Sequence, residues 1–122
     1  MRALLSIKPI FADRIFDGSK RFEFRRSIFK QPISTIIVYA SAPTSMVIGE
    51  FDVETILCDE LDRLWESTKL YSGISSQYFY SYFQGKDMGY AISIAKARRY
   101  LNPINLQQEY GVHPPQSFVY LA

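Results

Sequence analysis

The chain has 122 residues, 48% apolar and 21% charged, with a formal net charge of +2. That length admits one domain spanning 1–122, and that composition excludes a disordered chain. The single cysteine, Cys58, excludes an internal disulfide and a cysteine-based metal site, and reads as a small buried hydrophobe. No run of 18 apolar residues occurs, and the apolar run before Lys8-Pro9 is too short for a signal peptide, so a cytoplasmic protein without membrane contact is expected.

Residues 3–8 alternate, with Leu5 and Ile7 on one face and Ser6 and Lys8 on the other, which predicts a strand. Pro9 then suits a first helical position and Gly18 a C-terminal stop, with Phe11, Ala12, Ile15 and Phe16 as the apolar stripe between them. Residues 20–26 alternate again, Phe22 and Phe24 against Arg21, Glu23 and Arg25. The apolar run 36–40 predicts a buried strand. Residues 47–57 predict a longer one, with Val47, Phe51, Val53 and Leu57 on one face and Glu50, Asp52 and Glu54 on the other.

Residues 59–68 carry a helical stripe of Leu61, Leu64 and Trp65. Ser75 suits an N-cap, with Ile74 and Phe79 placed as a hydrophobic staple, and the helix it opens carries Tyr78, Phe79, Tyr82 and Phe83 before Gly85. Strands follow over 89–98 and 117–121, with at most a short helix between Pro103 and Gly111. Strands and helices do not alternate regularly, so a doubly wound parallel sheet is not expected. The expected class is α+β: a small, mostly antiparallel β-barrel with short helices packed against it.

Charge is segregated along the chain. Five basic residues against Glu23 alone lie between Lys20 and Lys30, and seven acidic residues against Arg63 alone lie between Glu50 and Glu66. Such segregation builds either a polar cleft or ordinary solvated faces. Glu23 and Arg25, two apart on a strand, share a face, and Lys20 leaves the turn at Gly18 close enough to join them. Two cations around one carboxylate suit a phosphate or a polarised carbonyl, and equally a salt-bridged surface.

The spacing Gly18-x-Lys20-x-x-Glu23-x-Arg25 resembles the signature of the ASCH domain family, a branch of the PUA-like superfamily. The opening 4–9, the run Val47-Ile48-Gly49-Glu50-Phe51 and the ending 114–118 are similar to family segments in the same order. The resemblance implies a barrel with a cleft beside the motif that receives RNA or a nucleotide-like ligand. It also implies two kinds of hydrolase. One branch removes the acetyl group of N4-acetylcytidine using the motif Lys and a Thr three positions on, where this chain has Glu23. Other members are ribonucleases with Lys, Tyr and Ser as suspected residues, for which Lys20, Tyr39 and Ser117 are the counterparts here.

The expected ligand-binding residues are Lys8, Lys20, Glu23, Arg25, Arg26, Tyr39, Gln116 and Ser117. The cations would take phosphate oxygens, and Glu23 a base edge or Arg25. If the protein is a hydrolase acting on a modified nucleoside or RNA, Lys20, Glu23 and Glu50 are the catalytic candidates. The remaining alternative is a protein-interaction module in which the motif is structural. His113, the sole histidine, has no carboxylate near it in sequence, and no metal or other cofactor is expected.

Overall fold

The computed structural model describes residues 1–121; Ala122, the last position of the expected domain, lies outside the described residues. The elements in chain order are β1 (Arg2–Ile7), α1 (Pro9–Asp17), β2 (Phe22–Arg25), β3 (Thr35–Ala40), β4 (Met46–Glu60), α2 (Leu61–Thr68), α3 (Ser76–Tyr82), β5 (Met88–Ile104), α4 (Leu106–Tyr110) and β6 (Phe118–Leu121). A single 3-10 turn, Lys69–Tyr71, follows α2. No described helix is long and apolar enough to cross a membrane.

All six strands form one mixed sheet in the order β2-β5-β4-β3-β1-β6. β1 and β3 run parallel and the other neighbouring pairs run antiparallel. This corrects the expected β-barrel: β2 and β6 are the two edges, and among the described residues no ladder joins them. Both edge strands have only four residues, so little backbone is available to close the sheet. A side chain spans the gap instead. Arg25 of β2 donates to Ser117 Oγ, one residue ahead of β6, at 2.7 Å.

The two faces of the central strands are both buried, which is why 36–40 reads as an uninterrupted apolar run. On one face Leu5, Ile7, Ile36, Val38, Ala40, Ile48 and Phe51 pack under α1 through Ala12 and Ile15. On the other, Leu4, Ile37, Tyr39 and Val47 pack with Leu106 of α4. A third cluster joins Phe24 and Ala91 to Leu64 of α2 and to Phe79 and Phe83 of α3.

β4 departs from a simple alternation. Val47 lies in the second cluster, Phe51 and Val53 in the first and Leu57 in the third, rather than on one common face. Two bulges on β4 are the cause: one extra residue between 47 and 49 against β3 and another between 53 and 55 against β5 each turn the following side chains to the opposite face. Beyond Asp52, β4 has lost its β3 neighbour and pairs with β5 alone. The outer part of that ribbon is open to solvent, so Cys58 is exposed rather than buried. β5 also runs six residues past the predicted end at Arg98, to Ile104.

One glycine on β4 is demanded by packing. A Cβ at Gly49 would collide with the Phe16 ring of α1 and with the Arg98 carbonyl of β5. The carbonyl belongs to a paired strand and cannot swing away. Gly49→Ala is therefore expected to destabilise the domain by about 1–3 kcal/mol, the usual penalty of overpacking, measured as a shift of the urea midpoint at constant slope.

Candidate functional site: a pocket between the sheet edges

The site begins with how α1 ends. Gly18 adopts φ +88 and its amide bonds the Ile15 carbonyl, closing the helix in the left-handed conformation that glycine tolerates. The chain doubles back so that the Lys20 amide meets the Arg14 carbonyl at 2.9 Å, and the Lys20 side chain turns inward. Only 2% of Lys20 is exposed. Its Nζ donates to the Ser72 carbonyl at 2.8 Å and lies 4.9 Å from the centre of the Phe24 ring and 5.5 Å from that of Phe11.

Glu23 and Arg25 join it from β2. Lys20 Nζ lies 3.8 Å from one Glu23 carboxylate oxygen, and Arg25 Nη1 lies 3.6 Å from the other. Glu23 is 7% and Arg25 9% exposed. Three charged side chains are thus withdrawn from water around a shared carboxylate, which desolvation makes expensive. The effect is visible on Lys20. Burial lowers its pKa from 10.5 to about 8; the Glu23 carboxylate opposes that fall and Arg14 adds to it.

Around this cluster lies an open pocket of about 250 Å³. β1 and its continuation supply Ser6, Ile7 and Lys8; the motif supplies Lys20, Glu23 and Arg25; Gln116 closes the side nearest β6. The remaining wall is Ile74 with the rings of Phe11, Phe24, Tyr78 and Tyr82. Lys8 is exposed at the mouth, with its ammonium 5.1 Å from the centre of the Tyr78 ring.

The expected site residues do not all meet here. Lys8, Lys20, Glu23, Arg25 and Gln116 line the pocket, and Ser117 touches it through Arg25. Arg26 instead donates to the carbonyls of Tyr82 and Gln84, both at 2.8 Å, where it caps the end of α3. Glu50 is engaged elsewhere: it accepts from Arg98 and Tyr100, and the Arg98 hydrogen bond holds its carboxyl below the usual range. Glu50 does not line this pocket. Tyr39 lines a separate, smaller pocket with Ser45, Asn105 and His113, so Lys20, Tyr39 and Ser117 do not form one cluster. Among the described residues no group of three His, Cys, Asp or Glu side chains is arranged to hold a metal.

Some residues that line or support the pocket were not among those expected. Arg14 Nη1 donates to the Gly73 carbonyl at 2.7 Å, next to the Ser72 carbonyl that Lys20 holds, so two cations fix the turn leading into α3. Gly73 has φ +68, and a Cβ there would strike the Lys20 chain. On α3, the stripe at 78, 79, 82 and 83 divides by chemistry. Phe79 and Phe83 are fully buried, while Tyr78 and Tyr82 turn partly outward to the pocket. The polar tip on each tyrosine is the signal in the sequence that separates wall from core.

Compared with known proteins, the sequence model of the ASCH domain matches residues 5–110. The chain belongs to the ASCH domain family. It is 33% identical over 124 residues to an ASCH domain-containing ribonuclease of Zymomonas mobilis, covering 98% of this chain and 83% of that protein. The crystal structure of ASCH from Zymomonas mobilis superposes with a TM-score of 0.91 at 31% identity, covering 99% of this chain and 87% of that one. The chain is also 30% identical over 119 residues to the large ribosomal subunit protein uL22 of Ureaplasma parvum. That match takes in 97% of this chain, which spans only 38% of the ribosomal protein's length.

The buried ammonium has a measurable signature. Because the folded-state pKa of Lys20 is lowered, the cost of burying its charge is complete below about pH 8. Between about 8 and 10.5 the folded state releases the proton first, so this group's contribution to stability rises with pH. The stability of the native protein relative to Lys20→Met is expected to increase across that window in paired denaturant titrations. A difference that stays level from pH 7 to 10 contradicts a desolvated ammonium at this position.

Proposed function

We propose that this ASCH domain is a ribonuclease whose site is the pocket around Lys20, Glu23 and Arg25. The observation that carries the reading is the one carboxylate shared by two cations, sunk in a pocket with aromatic walls. The Zymomonas relative, named as a ribonuclease and matched over nearly the whole chain, supports hydrolysis over binding alone.

The chemistry follows from the positions. Cleavage of RNA through its own 2′-hydroxyl needs a base for that proton, positive charge on the phosphoryl oxygens as negative charge builds there, and a proton for the departing 5′-oxygen. Arg25, the more exposed cation, contacts a phosphate oxygen through the planar fork that suits phosphate. Glu23 accepts the 2′-hydroxyl proton and afterwards returns it to the leaving oxygen. Lys20 lies too deep for extensive contact with substrate and acts through Glu23, holding the carboxylate in place and adding positive charge beneath the phosphate. The pocket's four charged lining residues, Lys8, Lys20, Arg25 and Glu23, sum to +2, which favours an anionic substrate.

The test is cleavage of a short single-stranded RNA, with melting temperatures recorded alongside. Glu23→Gln is expected to lower kcat by a hundredfold or more, the usual scale for a general base. Arg25→Lys, which keeps the charge and loses the fork, is expected to lower kcat/KM by about tenfold or more. Arg21→Ala, whose guanidinium packs on Tyr71 outside the pocket, serves as the control and retains activity. For the native protein kcat/KM falls as pH rises through about 8, where Lys20 loses its proton. A folded Glu23→Gln variant that cleaves at the native rate overturns the assignment.

A further inference from the structure

The aromatic wall carries an inference of its own, resting on the reading of the pocket as an RNA site. We propose that Tyr78 is the platform on which one unpaired base of the substrate stacks, and that Lys8 takes the phosphate beside that base. Neither role is needed for the bond-breaking chemistry. Both decide which RNA can enter.

Four features of the geometry support this. The rings of Tyr78 and Tyr82 are parallel to within 9°, with centres 6.5 Å apart, and both line the pocket. Phe11 meets the Tyr78 ring edge-on at 5.0 Å, which fixes its plane. The helix beneath is held at both ends. Ser75 caps its start by accepting from the Tyr78 amide, and Arg26 takes the Tyr82 and Gln84 carbonyls at its finish. A flat, immobile aromatic surface beside buried cations is what sequence-tolerant stacking of a base uses.

The second partner is poised above it. Lys8 is exposed, and among the described residues it forms no ion pair; its ammonium rests over the Tyr78 ring. It stands next to Pro9, whose ring restricts the Lys8 backbone to the extended conformation seen here, φ −57 and ψ 140, at the start of α1. An exposed cation on a ring face is held weakly. An arriving base replaces it on the ring, and the freed ammonium meets the adjoining phosphate, exchanging one weak contact for stacking and a charge-assisted bond.

The dimensions restrict the substrate. A pocket of about 250 Å³ falls below the usual range for sites that enclose drug-sized ligands, so both strands of a duplex do not fit inside it. In a duplex each base has both faces covered and its edge paired, so a base must leave the stack before it can lie on Tyr78.

Binding, measured without turnover, keeps this inference separate from the cleavage reading. A fluorescently labelled 2′-O-methyl RNA 10-mer, in which the attacking hydroxyl is blocked, is titrated by anisotropy as a single strand and as a duplex with its complement. The single strand is expected to bind at least tenfold more tightly. Tyr78→Ala is expected to weaken that binding by about tenfold or more, and Tyr78→Phe to preserve it. Should Tyr78→Ala fail to fold, Tyr78→Leu supplies apolar contact without a ring and is expected to show the same loss. Lys8→Ala lowers the dependence of log K on log salt by about one phosphate contact. Equal affinity for strand and duplex, native affinity in a folded variant lacking the ring, or no binding of the single strand overturns the proposal. Intact binding of this kind in a protein that does not cleave unmodified RNA counts against the ribonuclease reading alone.

Discussion

The Glu23 carboxylate, held between the ammonium of Lys20 and the guanidinium of Arg25, is the interaction on which the rest of the site depends. Removing charged groups from water costs several kcal/mol each, and mutual attraction offsets that only when the remaining hydrogen-bonding groups find partners. Here they do. Lys20 donates to the Ser72 carbonyl and Arg25 to Ser117, and no described side-chain nitrogen or oxygen is buried without a partner. Each tie also fixes a piece of backbone. Through Lys20 the cluster holds the turn before α3, and through Arg25 it holds the approach to β6. The same contacts that neutralise the buried charges therefore set the walls of the pocket.

The open sheet explains why the pocket lies where it does. Were β2 and β6 joined by a ladder, backbone would fill the space between them. Instead the edges end after four residues each, and side chains meet across the opening. The pocket draws its lining from β2, from the approach to β6, from the end of β1, from α1 and from α3, so residues far apart in the chain converge. The charged side chains are themselves buried, and electrostatic interactions among them are stronger than at an open surface.

Much of this was legible in the sequence because it depends on local rules. Pro9 and Gly18 bound α1, Ser75 caps α3, and the period of two through 22–25 puts Glu23 beside Arg25. What escaped depends on distant partners. Glu50, a conditional catalytic candidate in the sequence, is engaged by Arg98, 48 residues further on. A bulge in β4 between 47 and 49 turns Val47 and Phe51 to different faces, although their spacing places them together on a regular strand. Arg26 sits beside Arg25 in sequence yet caps a helix, because the strand ends between them. The unclosed sheet could not be foreseen from strand count, since alternation shows that strands exist and not whether the outermost two pair.

The most direct test of the account is a map of backbone amide shifts as an uncleavable single-stranded RNA is added to the isotope-labelled protein. The account predicts that the perturbed amides concentrate at 6–8, 20–25, 74–82 and 116–117, the segments that surround the buried cluster. Perturbations centred on Tyr39, Ser45 and His113 would place the ligand in the smaller pocket and contradict it.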